Sequence, residues 1–125
     1  MGFTLSNKLK VLITNDDGID AEGIRVLAEK VGKVAEVYVL APDSNRSAVS
    51  SHIIMNKDIV FTQCAKNFYA CSAYPADCVI AAFKSSIFGD IHFDAVLSGI
   101  NRGPNMGTDY IYSGTVAAAR QAVLY

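Results

Sequence analysis

The sequence predicts an α/β domain built on a doubly wound, mainly parallel sheet with helices on both faces. Three observations carry this. Val11-Leu12-Ile13, Glu36 to Ala41 and Asp94 to Ser98 are short apolar runs of the kind that form buried parallel strands. Segments with helical periodicity alternate with them, the pattern of βαβ units. The runs give way to loops rich in Asp, Asn, Ser and Gly, at the carboxyl edge where a parallel sheet gathers its chemistry.

In chain order, the first run ends in Thr14-Asn15-Asp16-Asp17-Gly18. Neighbouring side chains of a straight strand point to opposite faces, so both acids can serve one site only where the chain leaves the strand. Gly18 permits that turn because it tolerates positive φ. Ile24, Leu27, Ala28 and Val31 recur at helical spacing, predicting a helix from about Ala21 to Gly32. Glu36 to Ala41 closes a right-handed βαβ unit, and Pro42 to Ser51 forms a hydroxyl- and amide-rich loop on the same edge as the acids. His52 to Met55 and Ile59 to Thr62 read as short strands around an Asn56-Lys57 turn, with Gln63 to Phe68 as a surface turn. Tyr69 to Ser72 is a further strand, and a helix runs from Pro75 to Phe88, closed by Gly89. After Asp94 to Ser98 comes a loop from Gly99 to Asp109, then a helix-forming run from Ser113 to Tyr125 with no stop signal. The doubly wound pattern would return from that helix into another strand, so the chain reads as truncated at its carboxyl end.

The chain is 125 residues long, one domain's worth (1–125), and 51% hydrophobic with 18% charged residues, which excludes a disordered chain. Eleven basic and twelve acidic residues leave a formal charge of −1, with no general attraction to nucleic acid polymers or anionic membranes. Cys64, Cys71 and Cys78 form no C-x-x-C pair and read as reduced structural thiols. The first apolar run is too short for a signal segment or membrane span, so the expected compartment is the cytoplasm.

Three loops converge on one edge. They bring Asn15, Asp16 and Asp17, then Ser44, Asn45, Arg46 and Ser47, then Ser98, Asn101 and Arg102. Carboxylates, hydroxyls and amide oxygens favour a hard divalent ion, Mg²⁺ or Mn²⁺, with Ca²⁺ also compatible. Ser113, Gly114 and Thr115 open the last helix, where free N–H groups suit an anion. A metal beside a helix N-terminus defines a phosphate site. Each piece also has a plainer reading. Asp16 or Asp17 would cap the next helix, the Ser-Asn-Arg-Ser loop would be a solvated turn, and Ser113 a helix cap. Arg46 and Arg102 would be surface charges, and His52 and His92 structural or exposed.

Four pieces in order resemble the SurE family, the survival-protein-E 5′-nucleotidases. They are Thr14-Asn-Asp-Asp-Gly-Ile19, Ala41-Pro-Asp-Ser-Asn-Arg-Ser-Ala48, Ser98-Gly-Ile-Asn-Arg-Gly103 with Asn105-Met-Gly107, and Tyr112-Ser-Gly-Thr-Val116. Tyr74-Pro-Ala-Asp-Cys-Val79 resembles a further family segment, with Tyr74 where a threonine is more usual. The resemblance implies a Rossmann-like core and a metal-dependent phosphomonoesterase of the 5′-nucleotidase or acid-phosphatase type. It further implies one divalent ion per subunit, held by Asp16, Asp17, Ser47 and Asn101. Asn15, Ser113, Gly114 and Thr115 match positions lining the family's phosphate pocket. Family members are longer, and an extended arm assembles them as dimers or tetramers, so this chain's activity on its own is an open expectation.

The expected mechanism is attack of metal-activated water on the phosphorus of a nucleoside monophosphate, with Asp16 and Asp17 fixing the ion and Asp17 a candidate base. The 3′-nucleotides and short polyphosphate are further candidate substrates. A covalent aspartyl-phosphate fits less well, since no acid stands two positions beyond the first. The rivals are a Mg²⁺-binding receiver-like signalling module and a nucleotide-binding module without turnover. Against the first, Asp58 precedes its apolar run instead of following it, and the loop after Ser98 has no lysine. Neither G-x-G-x-x-G nor P-loop spacing occurs.

Overall fold

The computed structural model describes residues 8–44 and 58–101. Within them the elements are β1 (Lys10–Thr14), α1 (Glu22–Val31), β2 (Glu36–Pro42), β3 (Phe61–Ala65), β4 (Phe68–Cys71), α2 (Pro75–Lys84) and β5 (Ala95–Ser98). They form one sheet in the order β3-β4-β2-β1-β5. β1 lies between parallel β2 and parallel β5, with Ile13 opposite Val39 on one side and Leu97 on the other. β4 runs parallel to β2, and antiparallel β3 forms the margin.

Alternation along the central strands feeds two cores. Val11, Ile13, Val39 and Ala41 pack on one face with Ile24 and Ala28 of α1. Leu12, Tyr38 and Leu40 pack on the other with Cys78, Ala81 and Ala82 of α2. Both faces of β1 and β2 are therefore covered, which is why these strands read as unbroken apolar runs. Leu12, Ile13 and Leu40 are wholly buried, each worth roughly 1.5–3 kcal/mol relative to exposure. This is the doubly wound, mainly parallel sheet with helices on both faces that the sequence predicts.

Local expectations at the sheet margin and in the second helix need correction. A hairpin of β3 and β4 forms the margin of the described sheet, turning at Lys66-Asn67, with Asn67 at φ 61°. Gln63 to Ala65 belong to β3 and Phe68 to β4, whereas the sequence predicts a surface turn over the whole stretch. Asparagine tolerates the left-handed region well enough to close a tight connection without glycine. The Asn56-Lys57 turn and the run from His52 to Met55 lie outside the described residues, and Ile59 and Val60 precede the strand.

The second helix stops at Lys84, short of Phe88. Ser85 leaves helical geometry at φ −100° and ψ 174°, its hydroxyl donating to Ala81 O at 2.5 Å and accepting from Ile87 N–H at 3.3 Å. Serine hydroxyls compete with the backbone in this way and end helices that hydrophobic periodicity would extend. Phe88 is still core, meeting Tyr38, Tyr69 and Phe93 edge to face at 5.3, 5.6 and 5.9 Å between ring centroids. At the helix start, Pro75 takes the first turn and Asp77 reaches back to accept from Tyr74 N–H at 3.0 Å.

Tyr38 donates its hydroxyl hydrogen to Glu36, whose carboxylate also meets Lys10 Nζ at 3.3 Å. Burial first, and the Glu36 carboxylate second, push the Tyr38 phenol up to about 12. A raised folded pKa means the protonated phenol is the form the fold holds. Its contribution is fully present below the ordinary tyrosine value of about 10 and is lost as pH rises towards 12. Tyr38→Phe is expected to remove most of this alkaline limb and to cost about 1 kcal/mol at neutral pH, read from urea melts at pH 7 and above pH 10. A limb of unchanged steepness in the variant would assign the alkaline loss to other groups.

Cys71 and Cys78 are buried and Cys64 is exposed, all three as free thiols. Burial pushes the Cys78 thiol well above its usual range, so it packs as a neutral side chain.

Candidate functional site

The carboxyl ends of β1 and β5 are tied together where Gly99 N–H donates to Thr14 O at 2.9 Å. Beyond that tie the two loops diverge around a cavity of about 680 Å³. Asp17 from the first loop and Asn101 from the second line the same cavity, with Asp20 to Gly23, Val26 and Ile100 completing the described wall. Two of the residues expected to act together are therefore brought together by parallel strand pairing. Asp16 is placed differently: only 3% exposed, it lies beneath the surface and is not part of the cavity wall.

The turn that aims the acids is braced by Asn15. This wholly buried side chain donates from Nδ2 to Gly18 O at 2.8 Å and accepts from Gly18 N–H at Oδ1 at 3.2 Å. Gly18 itself stands at φ +106°, which L-residues rarely adopt. A Cβ there would also meet the Ser44 carbonyl carbon at 3.1 Å. The second loop is thus seated directly on the first, a contact reinforced by Ile19 N–H donating to Pro42 O at 2.8 Å. Asn15 is wholly buried and does not line the cavity, so the part the described structure gives its side chain is the brace.

Neither acid occupies the N-cap position of α1, which is Ala21, an extended residue with no capping side chain. Ser47, Ser113, Gly114 and Thr115 lie outside the described residues, as do Asn45, Arg46 and Arg102. Ser44 is exposed beside Gly18, and His92 is exposed ahead of β5.

The described wall is chemically one-sided. It carries the carboxylates of Asp17, Asp20 and Glu22 and no lysine or arginine. Such a wall favours a cation and repels a phosphate dianion unless a cation intervenes. The donor types fit a hard divalent ion, because Asp16, Asp17 and Asn101 offer oxygen only. Among the described residues no three His, Cys, Asp or Glu side chains gather as a metal-binding group. These residues could therefore supply only part of a coordination shell. Also among them, no helix is long and apolar enough to cross a membrane.

Sequence reasoning missed Gly23, Val26 and Ile100 as parts of this wall. A glycine in the first turn of a helix, where nothing local requires one, was the available signal for Gly23.

Comparison with known proteins places the chain. The family model described as "Survival protein SurE" matches residues 11–125. A protein of Vibrio parahaemolyticus named 5′-nucleotidase SurE is 44% identical over 113 residues, covering 90% of this chain and 43% of that protein. Proteins of the same name from Neisseria meningitidis and Haemophilus influenzae are 46% and 48% identical, covering 93% and 89% of this chain. The crystal structure of the SurE protein from Aquifex aeolicus superposes with a TM-score of 0.85 at 36% identity, covering 92% of this chain and 46% of that one. The chain thus spans less than half the length of these relatives. With the family model matching nearly its whole length and the superposition following the same fold, the chain belongs to the SurE family.

Proposed function

We propose that this chain carries the metal-binding edge of a phosphomonoesterase that removes phosphate from nucleoside monophosphates. The observation that carries the reading is the joint lining of one acidic cavity by Asp17 and Asn101, from loops after two adjacent parallel strands. The names of the relatives, 5′-nucleotidase SurE, supply the substrate class.

In this reading Asp16, Asp17, Asn101 and Ser47 hold one divalent ion, Mg²⁺ or Mn²⁺ before Ca²⁺. When bound, that ion supplies charge neutralisation for the phosphoryl group and acidifies water. The rest is the work of the chain. Asp17, half-buried at the cavity wall, accepts the proton of the attacking water, and buried Asp16 fixes the orientation of the pair. Asn15 holds the turn so that the acids do not reorganise during the reaction. Ser113, Gly114 and Thr115 donate to the phosphate oxygens. We further propose that the whole protein works in the cytoplasm as a homodimer or homotetramer. The receiver-like alternative has no described feature in its favour, since Asp58 lies ahead of β3 on the far side of the sheet order from β1.

Phosphate release from a panel of 5′- and 3′-nucleoside monophosphates and short polyphosphate, by the full-length protein, tests this. Release is expected with Mg²⁺ or Mn²⁺ and should vanish with a chelator. Folded protein that releases nothing from any substrate with either metal would overturn the reading.

A further inference from the structure

Gly23 stands in the first turn of α1, in the wall of the same cavity as Asp17, and the Asn101 loop passes over it. A Cβ at Gly23 would lie 2.2 Å from Ile100 O and 3.2 Å from Ile100 C. Real Cβ atoms essentially never come within 3.0 Å of a heavy atom outside their own residue and its chain neighbours, so these two segments meet only because residue 23 has no side chain. The two sides of the contact differ in firmness. α1 is anchored in the core by Ile24 and Ala28, at 2% and 7% exposure, whereas Ile100 is 52% exposed two residues beyond β5. An added methyl group therefore displaces the loop and leaves the helix in place. The displacement needed is about 1 Å, and shifts of that size are enough to cost about a hundredfold at a constellation that depends on orientation.

We propose that Gly23 is a positioning residue: its bare backbone seats the Ile100 carbonyl against α1 and thereby sets where Asn101 stands beside Asp17. The inference rests on the reading of Asn101 as a metal ligand. Gly23 touches neither metal nor substrate, and its effect passes through the loop alone.

The test is a Mn²⁺ titration of the full-length protein, followed by the loss of the free Mn²⁺ resonance, for the wild type, Gly23→Ala, Asn101→Ala and the double variant. Near-ultraviolet circular dichroism checks folding. Asn101→Ala should weaken Mn²⁺ binding, and Gly23→Ala should weaken it about tenfold or more in the folded protein, as loss of supporting contacts does at other metal sites. The double variant should bind as Asn101→Ala alone, because the glycine acts through the asparagine. Wild-type affinity in Gly23→Ala, or independent losses that multiply in the double variant, would overturn the proposal while leaving the metal reading intact. Unchanged binding in Asn101→Ala would overturn the metal reading and this inference with it. Should Gly23→Ala not fold, Ile100→Gly takes its place. It frees the backbone that carries the seated carbonyl. The same non-additive loss is expected from it, and wild-type binding would count against the seat.

Discussion

Asp17→Asn is expected to lower metal-dependent phosphate release by about a thousandfold, the scale of losing a positioned proton acceptor together with a charge that holds the ion. The fold should not suffer. The substitution is nearly isosteric at a half-buried position. Without metal, the variant should melt close to the temperature of the unsubstituted protein. With saturating Mn²⁺ it should melt below it, because an ion stabilises the state that binds it more tightly. Thermal melts with and without Mn²⁺, beside a phosphate assay, read all three expectations. A variant retaining near-normal turnover would remove Asp17 from the mechanism.

Asn15 is the next most consequential position. Asn15→Ala is expected to cost about 2 kcal/mol, because it strands the Gly18 N–H inside the protein and leaves the Gly18 carbonyl with only the Ala21 N–H, at 3.1 Å. Asn15→Asp keeps the shape and one acceptor, yet it should be no milder. It loses the donor to Gly18 O and adds a third consecutive carboxylate at a wholly buried position. Urea unfolding should show a lower midpoint with an unchanged slope in both variants. Activity should fall further than the folded fraction, since the acids lose the brace that aims them. Stability within about 0.5 kcal/mol of wild type would mean that Gly18 holds the turn without help.

The sheet could be read from the sequence because parallel strands buried on both faces leave little ambiguity. Val11 to Ile13 and Glu36 to Ala41 must be covered on each side, and only a doubly wound arrangement does that. The margin was harder. β3 runs from half-buried to exposed along its length, so Phe61 to Ala65 carry no burial pattern to separate a strand from a turn. The early stop of α2 was hidden for the opposite reason. Ile87 and Phe88 pack into the core after the helix has ended, so periodicity alone extends it. At the candidate site, the acid pair and Asn101 stood out by residue type. The Asn15–Gly18 brace and the Gly23 seat did not, because each depends on which backbone atoms come close after folding.

The central place of β1 also bears on when this edge can come into being. β1 is made well before β5, its second neighbour, and the Lys10–Asp94 hydrogen bond that opens their pairing closes a separation of 84 residues. Closing so long a loop carries an entropic penalty that is repaid only once β1 and β5 pair, and contacts of this range slow folding. Asp17 can be oriented by its own turn early, but Asn101 joins it only after this pairing. A nascent or partly unfolded chain therefore holds the acidic half of the cavity without its amide partner, and completion of the site reports that the longest-range pairing of the described sheet has closed.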